Sequence, residues 1–249
     1  MDYQPTESKG VRKLTVADQL PDCEIFINRE AYSLQDYVAN KKVIDIGCGY
    51  GHTKKIVEDL GGTWVGVEPF AGGAHTIVGS AEAVPVADCS YDVVIMNAVL
   101  EHVQNVPKTF SEVARILKPG GYFIGYVAFM ECFHEISYSH LSFKALEYFA
   151  EINGLKLQKL GGGGRFGIDY HLRILFYPLP FGAIRGVLAT FVRGLLHLKA
   201  AFAVPLLMLR KRLSLKSALA LASSYFKLEC LRQSVGFSFV IQKPPKISA

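Results

Sequence analysis

The sequence predicts an α/β protein on an open, largely parallel sheet, and three observations carry that prediction. Val43–Gly51, VIDIGCGYG, is an apolar, β-branched run that ends in glycines at 47, 49 and 51. That is the pattern of a buried strand turning sharply into a helix. Thr63–Val67, TWVGV, is a second apolar run, and it closes on the acidic Glu68. From there to about residue 160, apolar runs of strand length alternate with segments of helical periodicity, as a sheet with crossover helices requires.

The first strand and its turn are the most specific element. Three residues without Cβ let the backbone come against a ligand at the carboxyl end of the strand. His52–Leu60 has helical character and stops at Gly61-Gly62, a C-cap. Asp45 is the unusual residue, because a carboxylate beside the turn would repel a pyrophosphate. The dinucleotide pattern GxGxxG is also incomplete, since position 52 is His. A nicotinamide-dependent oxidoreductase is therefore disfavoured. A cationic nucleoside suits the site better, and S-adenosylmethionine carries that charge on its sulfonium and α-ammonium groups. Glu68, 17 positions after Gly51, stands where an adenosine ribose offers its two hydroxyls.

His75–Val78 is a short third strand and Tyr91–Asn97 a fourth. Pro107–Leu117 is a helix with Pro at its first position and Phe110, Val113, Ala114 and Leu117 on one face. Ile116–Val127, ILKPGGYFIGYV, joins a helix end, a Pro-Gly-Gly turn and a long fifth strand. With the glycine turn, Glu68, VLEHV at 99–103 and LKPGG at 117–121 in this order, the stretch from about Lys41 to Leu160 resembles the class I S-adenosylmethionine-dependent methyltransferases. The resemblance is to the subgroup acting on small molecules and lipids.

That resemblance implies a Rossmann-like sheet whose last strand is antiparallel. It implies S-adenosyl-L-methionine as cofactor, with Gly47, Gly49 and Gly51 around it, Asp45 and Asn97 towards its methionine end, Glu68 on the ribose, and Ala81 and Glu82 beside the adenine. The turn flanking the adenine would run from Ala81 to Pro85. The acceptor pocket would open just past the fourth strand, which makes His102 a candidate general base. His140 is a second candidate, and His134 with Glu135 competes with both. A lone Glu101 is insufficient for a metal ion, so none is expected.

The remaining elements depart from that pattern in two places. Glu30–Val38 is expected to be helical and to pack near the cofactor mouth. Between the second and third strands lie only Pro69–Ala74, PFAGGA; one Pro and two Gly suit a helix poorly. The sheet is expected to lack a covering helix there. Ser142–Ile152 is a helix closed by Asn153-Gly154, and Leu155–Leu160 alternates as a strand does. The antiparallel last strand is Phe237–Gln242, so residues 161–235 form an insertion inside a single domain spanning 1–249. The glycine run Gly161–Gly164 reads as a flexible exit into it.

The insertion differs from the rest in charge and pattern. Residues 1–160 hold 14 Lys and Arg against 20 Asp and Glu, a net of −6, whereas residues 161–235 carry a net of +9. Ile184, Val187, Leu188, Phe191, Leu195, Leu198 and Phe202 recur at helical spacing, with Arg185, Arg193, His197 and Lys199 largely off that stripe. Pro205 interrupts, Arg210-Lys211-Arg212 follows, and Leu213–Leu228 is a further helix. This composition suits an anionic membrane surface through about 184–216 or a roof over a lipid-like acceptor. A cover for the sheet and a homodimer seam are the other two readings. Nucleic acid is disfavoured, because the basic residues are interleaved with aliphatic faces rather than stacking aromatics.

The five cysteines show no CxxC pairing, so neither a zinc knuckle nor a disulfide scaffold is expected. Residues 1–10 are polar and read as a loose tail, with no secretory leader expected. No run of 18 uncharged apolar residues occurs, which argues against an ordinary span. The expected location is cytoplasmic, with the insertion as a peripheral contact on the inner membrane face. The expected function is methyl transfer to oxygen or carbon of a small-molecule or lipid-like acceptor. A cofactor-binding relative without turnover is the alternative.

Overall fold

The computed structural model describes residues 20–27, 29–70, 72–130, 136–162, 168–175 and 182–246. The expectations for the tail 1–10, for Gly163 and Gly164, and for His134 and Glu135 lie outside the described residues. So do the side chains of Arg185 and Arg193.

In chain order the elements are β1 (Glu24–Ile27), α1 (Gln35–Val38), β2 (Lys42–Ile46), α2 (Lys54–Asp59), β3 (Thr63–Glu68), β4 (Ile77–Val78) and β5 (Tyr91–Asn97). There follow α3 (Val106–Ile116), β6 (Leu117–Ala128), α4 (Phe143–Ile152), β7 (Lys156–Gly162), α5 (Ile168–Leu175), α6 (Gly182–Lys211), α7 (Leu215–Arg232) and β8 (Gly236–Gln242). They form one eight-stranded sheet in the order β1-β7-β8-β6-β5-β2-β3-β4. Strands β2, β3, β4, β5 and β6 run parallel, and β8 pairs antiparallel with both β6 and β7. The fold is therefore a mostly parallel, Rossmann-like α/β sheet with an antiparallel β8. The chain order reverses between β2 and β5, the place where open sheets of this kind bind ligands.

Burial explains why these runs became strands. Val43, Ile44, Val93, Val94 and Ile95 are buried because the central strands are covered on both faces. On one face α3 and α4 press Phe110, Val113, Leu146 and Ala150 against the sheet. Phe110, Phe123 and Phe239 pack edge to face there, with centroids 5.7 and 4.9 Å apart. On the other face α1 and α2 contribute Val38 and Val57 over Val43, Trp64 and Val93. Among the described residues no helix links β3 to β4, so that edge of this second face has no crossover helix.

Two expectations are corrected. The helix expected over Glu30–Val38 shrinks to Gln35–Val38, and β1, unpredicted, precedes it and pairs parallel with β7. Its sequence EIFI is only four residues long on an edge strand, too short for periodicity to declare it. Gly161 and Gly162 are no flexible exit but buried β7 residues. A Cβ at Gly161 would strike the backbone of Ala31, and one at Gly162 would meet Leu231 and Ser234. These glycines permit a close approach of backbones.

Among the described residues three helices stand between β7 and β8, and α6 and α7 pack on one another as a hairpin. At its base the His171 ring of α5 meets the Gln233 carbonyl that closes α7, Nε2 to O 2.9 Å. Both strands that bear the insertion are cut at the carboxyl edge of the parallel strands, since Gly162 pairs Phe237 and Ala128 pairs Gly236. The apolar stripe of α6 does not cover the sheet. Ile184, Val187, Phe191, Leu195, Leu198 and Phe202 are all exposed, which removes the sheet-cover reading. In addition, α6 is long and apolar enough to cross a membrane by length and composition, although no uncharged run of 18 residues occurs.

Candidate functional site

The ends of β2, β3 and β5 meet at the switch point, and Ile46, Glu68 and Ala98 border a cavity of about 700 Å³ there. That volume is within the range of pockets for drug-sized ligands. The wall is completed by Gly47, Phe70, the Gly79–Glu82 turn, Val99, the His102–Gln104 segment, Ile136 and Tyr138.

The three turn glycines all have positive φ, at 72°, 51° and 71°, so each needs glycine for its backbone alone. Their surroundings differ. A Cβ on Gly47 would collide with Val99, and one on Gly51 would sit 2.8 Å from Ala74 Cβ. A Cβ on Gly49 would meet nothing within 4 Å. Its peptide is held on both sides: Gly49 N–H donates to Glu68 Oε1 at 2.5 Å, and Gly49 O accepts from Ala74 N–H at 2.9 Å. The short Pro69–Ala74 connection thus folds onto the turn, and Glu68 braces it from the end of β3.

Asp45 is 4% exposed and does not line the cavity among the described residues. Its Oδ2 accepts from the Thr53 hydroxyl, which in turn accepts from Trp64 Nε1 at 3.0 Å. Burial pushes the Asp45 carboxyl up to about 6, opposed by the hydrogen bonds from Thr53 and Trp64 and reinforced by the charge of Glu68. Burial likewise raises the neighbouring Cys48 thiol to about 11, so it stays protonated.

At the end of β5, Asn97 Oδ1 accepts from the Tyr32 hydroxyl at 3.1 Å. The N-terminal segment therefore reaches the cavity's neighbourhood through Tyr32 rather than through a long helix. Ala98, the next residue, is held at φ 53° with its N–H on the Tyr126 carbonyl at 3.0 Å. A non-glycine residue so placed at a strand end is a mark of functional sites.

Ala81 and Glu82 lie in the cavity wall, and Glu82 has a second task. Its Oε1 accepts from the backbone N–H groups of Gln104 and Asn105 at 3.1 and 2.9 Å, just ahead of α3. Further along α3, Arg115 donates to the Val84 and Val86 carbonyls at 2.9 and 2.8 Å and pairs with Glu112 and Asp88. The turn beside the cavity is clamped to α3 at both ends.

His102 lines the cavity, and its Nδ1 lies 2.9 Å from the Ile136 carbonyl. A carbonyl can only accept, so Nδ1 carries a proton, which fixes the ring tautomer with Nε2 as the basic nitrogen. Tyr138 hydroxyl accepts from Gln104 Nε2 at 3.2 Å, and its N–H donates to the Glu101 carbonyl at 2.7 Å. His140, the other candidate, lies outside the cavity wall among the described residues, with Nε2 3.3 Å from Ser137 Oγ.

Sequence reasoning missed Phe70, Gln104, Ile136, Tyr138 and the Arg115 clamp. Ile136 and Tyr138 arrive from a loop more than thirty residues downstream of His102, and no local pattern marks them. The signal for Arg115 is the Glu112–Arg115 spacing on one helix face.

Comparison with known proteins gives a consistent picture. The family described as "Methyltransferase domain" matches residues 44–125. An uncharacterised methyltransferase of Mycolicibacterium gilvum is 29% identical over 147 residues, covering 52% of this chain and 58% of the relative. One from Mycobacterium tuberculosis is 32% identical over 115 residues, covering 40% of this chain and 45% of the relative. The chain thus spans about half the length of these relatives. Among solved structures, a chain from the complex of the Haloferax volcanii Trm112 methyltransferase activator with a methyltransferase matches at TM-score 0.54 and 16% identity, covering 84% of each chain. A SAM-dependent methyltransferase from Methanosarcina mazei matches at TM-score 0.50 and 14% identity, covering 88% of this chain and all of that one.

Proposed function

Through residues 44–125 the chain belongs to the class I S-adenosylmethionine-dependent methyltransferases, and we propose that it methylates a small-molecule or lipid-like acceptor at oxygen or carbon. The observation that carries the reading is the cavity of about 700 Å³ at the switch point, walled by Gly47 and Glu68, with open space left beside the neighbouring Gly49. The donor set fits the cofactor. In this reading Glu68 offers a carboxylate for ribose hydroxyls, Gly47 offers bare backbone, Ala81 and Glu82 flank the adenine, Gly49 keeps the turn open, and Asp45 and Asn97, outside the cavity wall, shape the methionine end from behind the turn and from the end of β5. Carboxylates around the turn suit a cationic ligand.

When bound, S-adenosylmethionine supplies an electrophilic methyl group, so the protein needs mainly to position an acceptor and remove its proton. Ile46, Val99, Val103, Phe70 and Ile136 give the acceptor end an apolar wall, and Gln104 and Tyr138 give it polar contacts. His102 is the general base in this reading. The Ile136 carbonyl holds the ring in the tautomer whose Nε2 accepts a proton from an acceptor hydroxyl or an acidified C–H.

The test uses calorimetry with S-adenosylhomocysteine and methyl-labelled cofactor incubated with a lipid and metabolite extract, read by mass. The product should bind at about micromolar strength, roughly −8 kcal/mol. His102→Gln should leave that affinity unchanged and lower kcat about 10²- to 10⁴-fold. Tight NADH binding would overturn the cofactor assignment. Unchanged kcat in His102→Gln would remove the base. Cofactor binding without any labelled product would favour a relative that does not turn over.

A further inference from the structure

The α6–α7 hairpin presents an apolar face that nothing among the described residues covers. Ile184, Val187, Phe191, Leu195, Leu198, Phe202, Leu206 and Leu209 follow one another at intervals of three or four residues and are between 49% and 80% exposed. At 1.5 Å per residue they draw a stripe about 38 Å long. The helix has a separate face for its partner: Leu196, Ala200 and Ala203 adjoin Tyr225 and Phe226 of α7, and Lys199 pairs with Glu229 at 3.2 Å. The stripe is therefore not the hairpin's own seam. An exposed apolar surface of this size marks an interaction site.

Charge says what the occupant is. No acidic residue occurs between Asp169 and Glu229. At the turn of the hairpin Arg210, Lys211, Arg212 and Lys216 are exposed. We propose that this face docks on an anionic lipid bilayer, with α6 lying in the plane of the headgroups and the basic turn on the phosphates. A second copy of the chain would set one strongly basic surface against another. A spanning hairpin would have to carry its basic turn through hydrocarbon, which is strongly unfavourable. An in-plane helix satisfies both features, with aliphatic and aromatic side chains towards the acyl boundary and cations at the headgroups.

The attachment of the hairpin gives the docking a purpose. It leaves the sheet between Gly162 and Gly236, at the same carboxyl edge on which the cavity opens. A chain held to the bilayer by α6 would keep its site near the membrane surface. The docking itself is independent of whether the chain methylates anything.

Flotation of the full chain tests it, using vesicles of phosphatidylcholine alone and of phosphatidylcholine with a quarter phosphatidylglycerol. The chain should float with the anionic vesicles at low salt, be released at high salt, and leave the vesicles after alkaline carbonate. Arg210→Glu, Lys211→Glu and Arg212→Glu together should lower the partition by roughly a hundredfold or more. Phe191→Asp with Phe202→Asp, both at exposed positions, should do likewise while S-adenosylhomocysteine affinity and helical circular dichroism stay unchanged. No flotation with either vesicle overturns the proposal. A dimer in sedimentation that Phe202→Asp dissociates, without vesicle binding, assigns the face to a second copy. Retention after carbonate assigns α6 to a span.

Discussion

The carboxyl edge of the sheet and the α6–α7 hairpin are built from opposite uses of the same residue types. At the edge, glycines mark contact: Gly47 lies against Val99, Gly51 against Ala74, Gly125 against the Met96 carbonyl and Gly161 against Ala31. Along α6, Gly182, Gly186 and Gly194 would meet nothing if a Cβ were added. Large apolar residues invert in the same way, buried in β2, β5 and β6 and exposed on α6. Even the charges oppose, with Asp45, Glu68 and Glu82 at the turn and the cations on the hairpin. One region is shaped by its own interior, the other by something outside the chain.

Gly49 belongs to the edge by sequence and to the open class by surroundings, so a substitution there probes that division most directly. Gly49→Val should leave the sheet folded, at some cost for its φ of 51°, and lower S-adenosylhomocysteine affinity beyond detection in calorimetry. Glu68→Ala removes a charged acceptor, and hydrogen bonds to charged groups contribute about 1.5–3 kcal/mol, so affinity should fall roughly ten- to a hundredfold. Unchanged affinity in both folded variants would mean the open space at Gly49 is mere solvent.

Asp45 separates stability from function within the edge. Its folded carboxyl titrates near 6, above the ordinary 3.8, because burial disfavours the charge. The folded chain therefore holds this proton more tightly than the unfolded one. The stabilisation this group contributes is full below about pH 4 and lost as pH rises towards 6. Above that range the ionised group is a burden on the order of 3 kcal/mol relative to its neutral form. Asp45→Asn should raise the melting temperature at pH 7 by several degrees, raise it less at pH 4.5, and weaken binding of the cationic cofactor. A lower melting temperature at pH 7 would show that the hydrogen bond from Thr53 outweighs the burial of charge.

The same contrast sets which elements are legible in the sequence. Strands β2, β3 and β5 are legible because doubly covered strands collect β-branched residues into continuous runs. The glycine turn is legible because positive φ at 47, 49 and 51 constrains residue type at fixed spacing, and Glu68 because it closes an apolar strand with a carboxylate. Gly161 and Gly162 mislead: a glycine run signals a missing Cβ, and the sequence does not say whether the reason is freedom or contact. Ile136 and Tyr138 are illegible for a different reason. Their place in the cavity comes from a loop brought onto the Glu101 carbonyl by tertiary contact, and nothing in their neighbours encodes it. The α6 stripe is legible as a face, whereas its exposure is not, because periodicity reports that a face is apolar and is silent on what covers it.

The smallest expected effect lies in the hairpin, and it asks whether α6 is helical before it meets a membrane. Gly186 and Gly194 are exposed helical positions with open space around them, and glycine in a helix interior costs about 0.5–1 kcal/mol relative to alanine. If α6 is already formed in solution, Gly186→Ala and Gly194→Ala should slow amide exchange across α6 and leave vesicle partition almost unchanged, because the helix is the same in both states. If α6 forms only on lipid, the same substitutions reduce the cost of ordering, and partition should strengthen by roughly two- to fivefold per site. Neither substitution should alter S-adenosylhomocysteine affinity, since the cavity wall contains no residue of α6 among the described residues. An affinity change there would mean that hairpin and site are coupled, and the two regions would have to be treated as one.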